Sequence, residues 1–529
     1  MSSSNVFTMR GSLPAIPMEL DKAHFVPLMT LFASTLTWTT LCQFVAFHIA
    51  QAIYRLWFHP LSKFPGPVLY SVFYLPYLYQ AYIKGRWIFK TTELHRKYGP
   101  IVRVGPNHII VDGEIGWPQV FGRRKADQSE YEKMPAVHKA KAYSLIGATR
   151  DIHRRQRRQL NHAFSDASLT QQEDIIQAYV TLLLERLQTR ADEAEVVDAV
   201  KWMNCTTFDI IGDLAFSESF SSLQNNAVHP WVKLFFDSIR FLAVRRFFVN
   251  FPLLRFALSM FSSRFGTKQH PSRDHAKNKA RQRMALGQDP PGGRKDFMSY
   301  MLRKTRDGQV GMSEEEILET CPTLVIAGSE TTASALSAFY FYMDKNPRAY
   351  AQLTEEIRTA FGAEEEITMQ NASHLEYLQA CVNEVLRIYP PAAETPARVS
   401  PGDFIEGVYI PANTLVSVYQ WATFRNPKHF KDPESFIPER WLSPSHPLYD
   451  EGFKNDNHAI FKPFSYGSRD CIGKNLAINE LRVIISRMLY RFDFNVLEGQ
   501  DDWHTKQRSF IIWDKSPLMV RFQTRQTAN

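Results

Sequence analysis

Cysteine is scarce in this chain: five in 529 residues, at Cys42, Cys205, Cys321, Cys381 and Cys471. The number is odd and no Cys-x-x-Cys pair occurs, which argues against a disulfide framework or a cysteine zinc site. Thiols that stay reduced suit a catalytic part facing the cytosol. There is no Gly/Ser linker, no low-complexity tract and no repeat of fixed period, so nothing marks out the several domains that the length would allow. The net charge of +8 suits an anionic membrane surface, an acidic protein or nucleic acid. Nucleic acid is the weakest of the three, because no basic block interleaved with aromatics and no zinc-finger or helicase motif is present.

What is abundant is apolar. Hydrophobic residues make up 44%, with 38 Phe, 21 Tyr and 10 Trp, enough for a large core or for enclosing a bulky apolar cofactor. Phe25 to Phe47 is 23 residues without a charge. As a helix it would reach about 35 Å, enough to cross a hydrocarbon core. Bulky, basic Tyr54-Arg55-Leu56-Trp57 follows in place of a small-residue cleavage site, so a retained anchor is expected over a signal peptide. Residues 1–24 are not the Arg-rich, acid-poor stretch of a mitochondrial presequence. A buried soluble helix is the alternative. Arg55, His59 and Lys63 follow the span, whereas Glu19 and Asp21 offset Arg10 and Lys22 before it; this charge bias puts the C-terminal bulk in the cytoplasm.

The expected organisation is a short tail over 1–24, a transmembrane anchor over 25–54, a proline-rich hinge over 55–68 and a catalytic domain over 69–529. The pattern alone does not say whether 69–529 is one domain or two. Its fold class reads as mainly α (α+β), a large helical globule with small β-sheets. Glu93–Tyr98 ends a helix stopped by Gly99-Pro100, and Ile101–Asp112 forms a hairpin around Gly105-Pro106. Gln171–Arg190 and Asn383–Arg387 have helical spacing. Phe404–Val418 is β-rich with a turn at Ile410–Asn413, and Ser509–Phe522 reads as strands around Asp514–Pro517. Ser313 and Glu316 form a capping box opening an apolar segment to about Met343; Pro322 within it should kink the helix.

The most informative segment is Phe464-Ser-Tyr-Gly-Ser-Arg-Asp-Cys-Ile-Gly473. Glycines on both sides let backbone N–H groups approach the Cys471 sulfur. Such groups spread a thiolate's charge and tune a metal bound to it. Arg469 offers an always-charged fork for a carboxylate. The apolar run Leu476–Leu489 can pack as a helix beside it. Mid-way along the capped segment lies Ala327-Gly-Ser-Glu-Thr-Thr332, where a Thr hydroxyl can bond a carbonyl one turn back and open the helix. Taken alone, this hexapeptide also looks like an ordinary small-residue helix crossing, and Glu384-Val-Leu-Arg387 like a solvated ion pair.

The cysteine segment resembles the haem-binding signature of the cytochrome P-450 family, Phe-x-x-Gly-x-Arg-x-Cys-x-Gly, at every fixed position, and the hexapeptide resembles that family's oxygen-activating signature. Glu384 and Arg387, followed by Arg440 in Pro438-Glu-Arg-Trp441, resemble its buried structural triad. The His59–Pro67 turn resembles the hinge of microsomal members. The texture is similar to ascomycete secondary-metabolism members such as the trichothecene C-15 hydroxylase group.

The resemblance implies haem b with Cys471 as the axial iron ligand, and Phe464, Arg469 and Gly473 around it. Ala327 and Gly328 would border the haem, while Thr331 and Glu330 would deliver protons. His153, Arg157 and Arg398 would hold haem propionates. Arg154, Arg155, Arg158 and Lys474 would face an electron donor. It implies a monooxygenase that puts one atom of O₂ into an apolar small molecule, such as a terpenoid or polyketide, with electrons from NADPH through an NADPH–haemoprotein reductase, a flavoprotein. The setting would be the endoplasmic reticulum membrane, single-pass, with the catalytic domain in the cytosol and no nucleic-acid partner. Expected pocket linings are Lys141–Ile146, Phe235–Phe261, Leu324, Ala393–Thr395 and Ser509–Ile511; Glu394 is their one acid, either a polar contact for substrate or a cap. A haem-thiolate isomerase or dehydratase, or a non-catalytic haem-binding membrane protein, are the alternatives.

Overall fold

Gly99 and Pro100 end one helix, and Ser313 caps the start of another. In a computed structural model, residues 22–134, 143–227, 229–251, 256, 260, 271–291, 293, 295–304, 308 and 311–525 are described. The principal helices are α1 (Lys22–Ile53), α2 (Trp87–Tyr98), α3 (Arg150–Leu160), α4 (Asp166–Asp192), α5 (Ala199–Phe216), α6 (Pro230–Val249), α7 (Pro271–Ala285), α8 (Glu314–Lys345), α9 (Pro347–Ala360), α10 (Glu376–Ile388) and α11 (Lys474–Arg491). The strands are β1 (Ile101–Gly105), β2 (His108–Val111), β3 (Glu132–Lys133), β4 (Val196–Asp198), β5 (Arg398–Val399), β6 (Asp403–Ile405), β7 (Val408–Ile410), β8 (Leu415–Ser417), β9 (Phe492–Val496), β10 (Arg508–Phe510), β11 (Ile512–Asp514) and β12 (Met519–Thr524). The mainly helical reading with small sheets holds. Lys141 of the expected pocket lining and much of Phe235–Phe261, Arg255 included, lie outside the described residues.

The chain divides into two compact units, Met1–Ser62 and Lys63–Asn529. The first contains α1 and a π-helical turn, Tyr54–Phe58. The anchor expected over 25–54 is met by a helix, but among the described residues no helix is long and apolar enough to cross a membrane. In the second unit the last part of the expected hinge is pinned: the Arg103 N–H donates to the Pro65 carbonyl at 2.8 Å.

Within this unit α8 forms the axis. Its capping box is present, with Ser313 N–H to Glu316 Oε2 at 2.8 Å and Glu316 N–H to Ser313 Oγ at 3.3 Å. From Thr332 to Met343 every residue is buried, as expected of a helix covered on all sides. Pro322 stands inside α8 without ending it. Proline lacks the N–H, so the helix forgoes one ladder bond there. A five-stranded sheet has the order β1-β2-β8-β5-β3, and β4-β12-β9 forms a second. The tail hairpin pairs β10 with β11 and turns at Ile511, and β11 and β12 flank Asp514–Pro517 as expected.

Candidate active site

The Cys471 loop is closed by its own backbone: Cys471 N–H donates to the Phe464 carbonyl at 2.8 Å. The chain turns through left-handed conformations at Ser465 (φ 64°) and Gly467 (φ 85°). A Cβ on Gly467 would lie 1.9 Å from the Phe121 carbonyl oxygen, so the turn admits only glycine. Gly473 directly precedes α11 and its N–H bonds the Cys471 sulfur. The sulfur thus sits at the N-terminus of an 18-residue helix, where the dipole favours an anion. Burial pushes the thiol pKa up; the Gly473 N–H and Arg157 oppose this, and Asp470 adds to it. Cys471 still presents accessible surface. So does Ala327, midway along α8 between buried Val325 and Ser329.

Cations gather beside this loop. Burial, then Arg469, Lys133, Arg157 and Arg398, push the His153 pKa down to about 3. Burial and Arg469 lower Arg398 to about 10, with Glu130 opposing. Arg398 Nε is buried without a hydrogen-bond partner. Arg398 and Arg469 line one cleft with Phe121, Gly122, Glu130 and Tyr131. One carboxylate, Glu130, answers Arg469 at 3.6 Å and Arg150 at 3.3 Å. Positive charge therefore exceeds negative in a desolvated place. A thiol at a helix start and a buried surplus of cations fit haem, whose iron takes the thiolate and whose two propionates take the cations.

Two basic residues on α3 take other partners. Arg157 donates to the Asp470 carbonyl at 2.6 Å and carboxylate at 2.8 Å, so it braces the residue before Cys471. Arg155, expected to face an electron donor, is exposed and also grips Glu316 of the capping box at 2.5 and 2.9 Å and the Gly311 carbonyl at 2.6 Å. The reason is electrostatic. Burial alone would raise Glu316; Arg155, with the Ser313 N–H and Gln156, outweighs it. Arg154, Arg158 and Lys474 are exposed.

On α8 the back-bonds are present: Thr331 Oγ1 donates to the Ala327 carbonyl at 2.7 Å and Thr332 Oγ1 to the Gly328 carbonyl at 3.2 Å. Gly328 faces α5, where Ile211 Cδ1 would be 2.7 Å from a Cβ. Glu330 is buried and ion-paired through Oε1 to buried Lys515, while its Oε2 has no partner. Lys515 also donates to Ser334 Oγ at 2.8 Å. Burial raises the Glu330 carboxyl and Lys515 offsets part of the rise. Glu480 of α11 is buried against Thr332, and burial pushes its carboxyl up to about 8. Neither Lys515 nor Glu480 carries a sequence signal, since a lone Lys in a tail and a lone Glu in a helix read as surface.

Glu384, Arg387 and Arg440 come together fully buried. Arg387 grips Glu384 with two bonds, 2.7 and 2.8 Å, and Arg440 reaches it at 3.3 Å. Trp441 Nε1 and the Ile437 N–H add donors at 2.8 Å each. Burial would raise Glu384; Arg387 and then Arg440 outweigh it and hold the carboxyl below its ordinary value. Arg387 also bonds the carbonyls of Phe424, Pro433 and Ser435, so the network ties α10 to the segment preceding the cysteine loop.

The family model for Cytochrome P450 matches residues 65–522. Cytochrome P450 monooxygenase aclL of Aspergillus oryzae is 40% identical over 490 residues, covering 90% of this chain and 96% of the relative. Cytochrome P450 monooxygenase astA of Talaromyces wortmannii is 38% identical over 493 residues, covering 91% and 96%. Trichothecene C-15 hydroxylase of Fusarium sporotrichioides is 37% identical over 481 residues, covering 90% and 96%. A cysteine at a helix start, a buried cation surplus and a match over most of both chains converge: this chain belongs to the cytochrome P450 family of haem-thiolate monooxygenases.

Proposed function

We propose that this chain inserts one oxygen atom of O₂ into an unactivated C–H or C=C bond of an apolar terpenoid or polyketide, in fungal secondary metabolism. The observation that carries the reading is the Cys471 loop, with its Gly473 N–H on the sulfur and unanswered Arg398 close by. Relatives named as trichothecene C-15 and C-4 hydroxylases support hydroxylation as the outcome. Bound haem supplies oxygen activation and the oxidising power, and the protein supplies position. In this reading Cys471 is held as the ligand by the Gly473 N–H, and Arg398, Arg469 and His153 take the carboxylates. Glu330 Oε2 and the neighbouring Thr331 hydroxyl hold and pass the protons.

Electrons come from NADPH through a flavoprotein reductase. Arg154 and Arg158 support this: they are exposed on the helix whose Arg157 braces the cysteine loop. An acidic donor would be steered there by charge. Residues 25–54 anchor the chain in the endoplasmic reticulum membrane, with 55–68 as the hinge and 69–529 working in the cytosol. The support is outward apolar surface: Trp38, Leu41, Phe44 and Phe47 on α1 are exposed. In the second unit Val68, Leu69, Phe73 and Phe241 are exposed as well. The test is spectroscopic. Ferrous wild type with carbon monoxide should show the red-shifted Soret band of thiolate ligation, and Cys471→His should lose it. A band that survives the substitution would remove Cys471 as ligand.

A further inference from the structure

Two buried carboxylates, Glu384 and Glu330, are satisfied in different ways. Glu384 has both oxygens in use. Its Oε1 accepts from Arg387, Arg440 and the Ile437 N–H, and its Oε2 from Arg387 and Trp441. An acid kept for structure needs this, because a buried hydrogen bond left unmade is expensive. Glu330 of α8 is only half satisfied. Its Oε1 accepts from Lys515 and, at 3.2 Å, from Ser334 Oγ one helical turn on. Its Oε2 is buried and bare. The next residue, Thr331, is half-buried, with its hydroxyl on the carbonyl of accessible Ala327.

Lys515 is placed with care. It lies in the segment that joins β11 to β12, and both its neighbours in β11 and beyond are pinned. Trp513 Nε1 donates to the Pro390 carbonyl at 2.9 Å, and the Ser516 N–H to Gln507 Oε1 at 2.7 Å. Asp514, the acid beside Lys515 in the chain, is already taken. Arg240 of α6 grips it with bonds of 2.7 and 2.9 Å, and Arg508 lies 3.6 Å away. The Lys515 side chain is 2% exposed and reaches Glu330 and, at 2.8 Å, Ser334 Oγ. An ion pair buried this far adds little net stability, since both charges must leave water to form it. A buried cation on one oxygen of an acid whose other oxygen is bare therefore points to chemistry.

We infer that Lys515 is a positioning residue for proton delivery: it fixes one oxygen of Glu330, so that the other gives the proton, and it holds the charge that the proton leaves behind. The inference rests on the monooxygenase reading above. In the step, the O–H bond at Glu330 Oε2 breaks and its electron pair stays on the carboxylate. The proton passes toward the neighbouring Thr331 hydroxyl, and solvent returns one to Glu330. Lys515 keeps its own protons throughout. Burial disfavours the Glu330 carboxylate; Lys515 and then Ser334 oppose this, and Asp514 adds to it. Buried Tyr389 also faces the Glu330 charge. Without the lysine, Glu330 would hold its proton too tightly to give it up.

The test uses full-length holoenzyme and has two arms. The first needs no turnover: infrared difference spectra across pH, where a protonated buried carboxyl shows its own C=O stretch. The band that Glu330→Gln abolishes should titrate about 1–3 pH units higher in Lys515→Met than in wild type. Lys515→Arg should stay close to wild type. The second arm supplies NADPH through the reductase with dodecane present, and compares electrons lost as hydrogen peroxide with those ending in water or product. Lys515→Met should raise that ratio at least about tenfold, less than a positioned proton-transfer group can contribute. Added to Glu330→Gln, it should change nothing further, and Lys515→Arg should restore most of the wild-type ratio. Lys515→Gln, which keeps a donor without the charge, takes its place if Lys515→Met fails to fold. An unmoved infrared midpoint overturns the inference, as does an equal rise in the ratio with and without Glu330. A midpoint that moves while the ratio stays at its wild-type value overturns the proton role and leaves an ion pair. Absence of the carbon-monoxide Soret band in wild type would sink the monooxygenase reading itself.

Discussion

Glu480→Gln is expected to stabilise the protein, and more so as pH rises. The Glu480 side chain is 2% exposed, and burial moves its carboxyl from 4.5 to about 8, with Thr332 opposing. Thr332 donates its hydroxyl proton to the Gly328 carbonyl at 3.2 Å. The native state thus keeps a proton that the unfolded chain sheds above about pH 4.5. The contribution is fully present below that pH, declines as pH rises, and is gone above about pH 8. At about 1.4 kcal/mol per pH unit the loss is about 3–5 kcal/mol. Glutamine does not titrate and keeps nearly the same size. A unit of about 470 residues unfolds with an entropy near 1 kcal/mol/K, so the gap corresponds to about 3–5 °C. Melts of both proteins at about pH 5, 7 and 8.5, at one scan rate, should show the difference opening from under about 1 °C to its full size. A difference that stays constant across the three would refute the reasoning, because a packing effect has no reason to follow this titration.

Thr331→Ala should still bind haem and take electrons but release them as hydrogen peroxide; unchanged coupling of NADPH to product would remove Thr331 from proton delivery. Replacing Arg154 and Arg158 together with Glu should slow the first electron transfer in stopped flow at low salt, and less at high salt, where the screening length shrinks to about 3 Å at molar ionic strength. A wild-type rate at low salt would place the donor elsewhere. Glu384→Ala leaves Arg387 buried without its anion, while Arg440 keeps Asp456, and should lower stability by about 3–5 kcal/mol in denaturant titration; a loss below about 1 kcal/mol would mean the network is solvated, like an ordinary surface pair.

Sequence reading reaches a feature when the chemistry requires neighbours in the chain. Ser313 and Glu316 cap from three positions apart, Glu384 and Arg387 pair one helical turn apart, and Gly467, Arg469, Cys471 and Gly473 sit within seven residues. Partners from distant segments leave no such trace. Arg155 meets Glu316 across 161 positions and Lys515 meets Glu330 across 185, so neither pairing shows in the sequence. The tail hairpin was hidden for another reason. Its turn residue, Ile511, has the opposite of turn chemistry, whereas Asp514-Lys-Ser-Pro517 has the usual one and merely joins two strands.

The approach of the Phe121 carbonyl to Gly467 also sets what a mutational library can find. Side chains along the loop vary in size by degrees, but at position 467 the first added carbon already meets backbone oxygen at 1.9 Å. A saturating library there should therefore return a two-valued pattern, glycine or no haem protein. Position 465, also left-handed at φ 64° and half-buried, should grade smoothly, with glycine and asparagine tolerated best. Any path through 467 toward a different redox potential is thus closed.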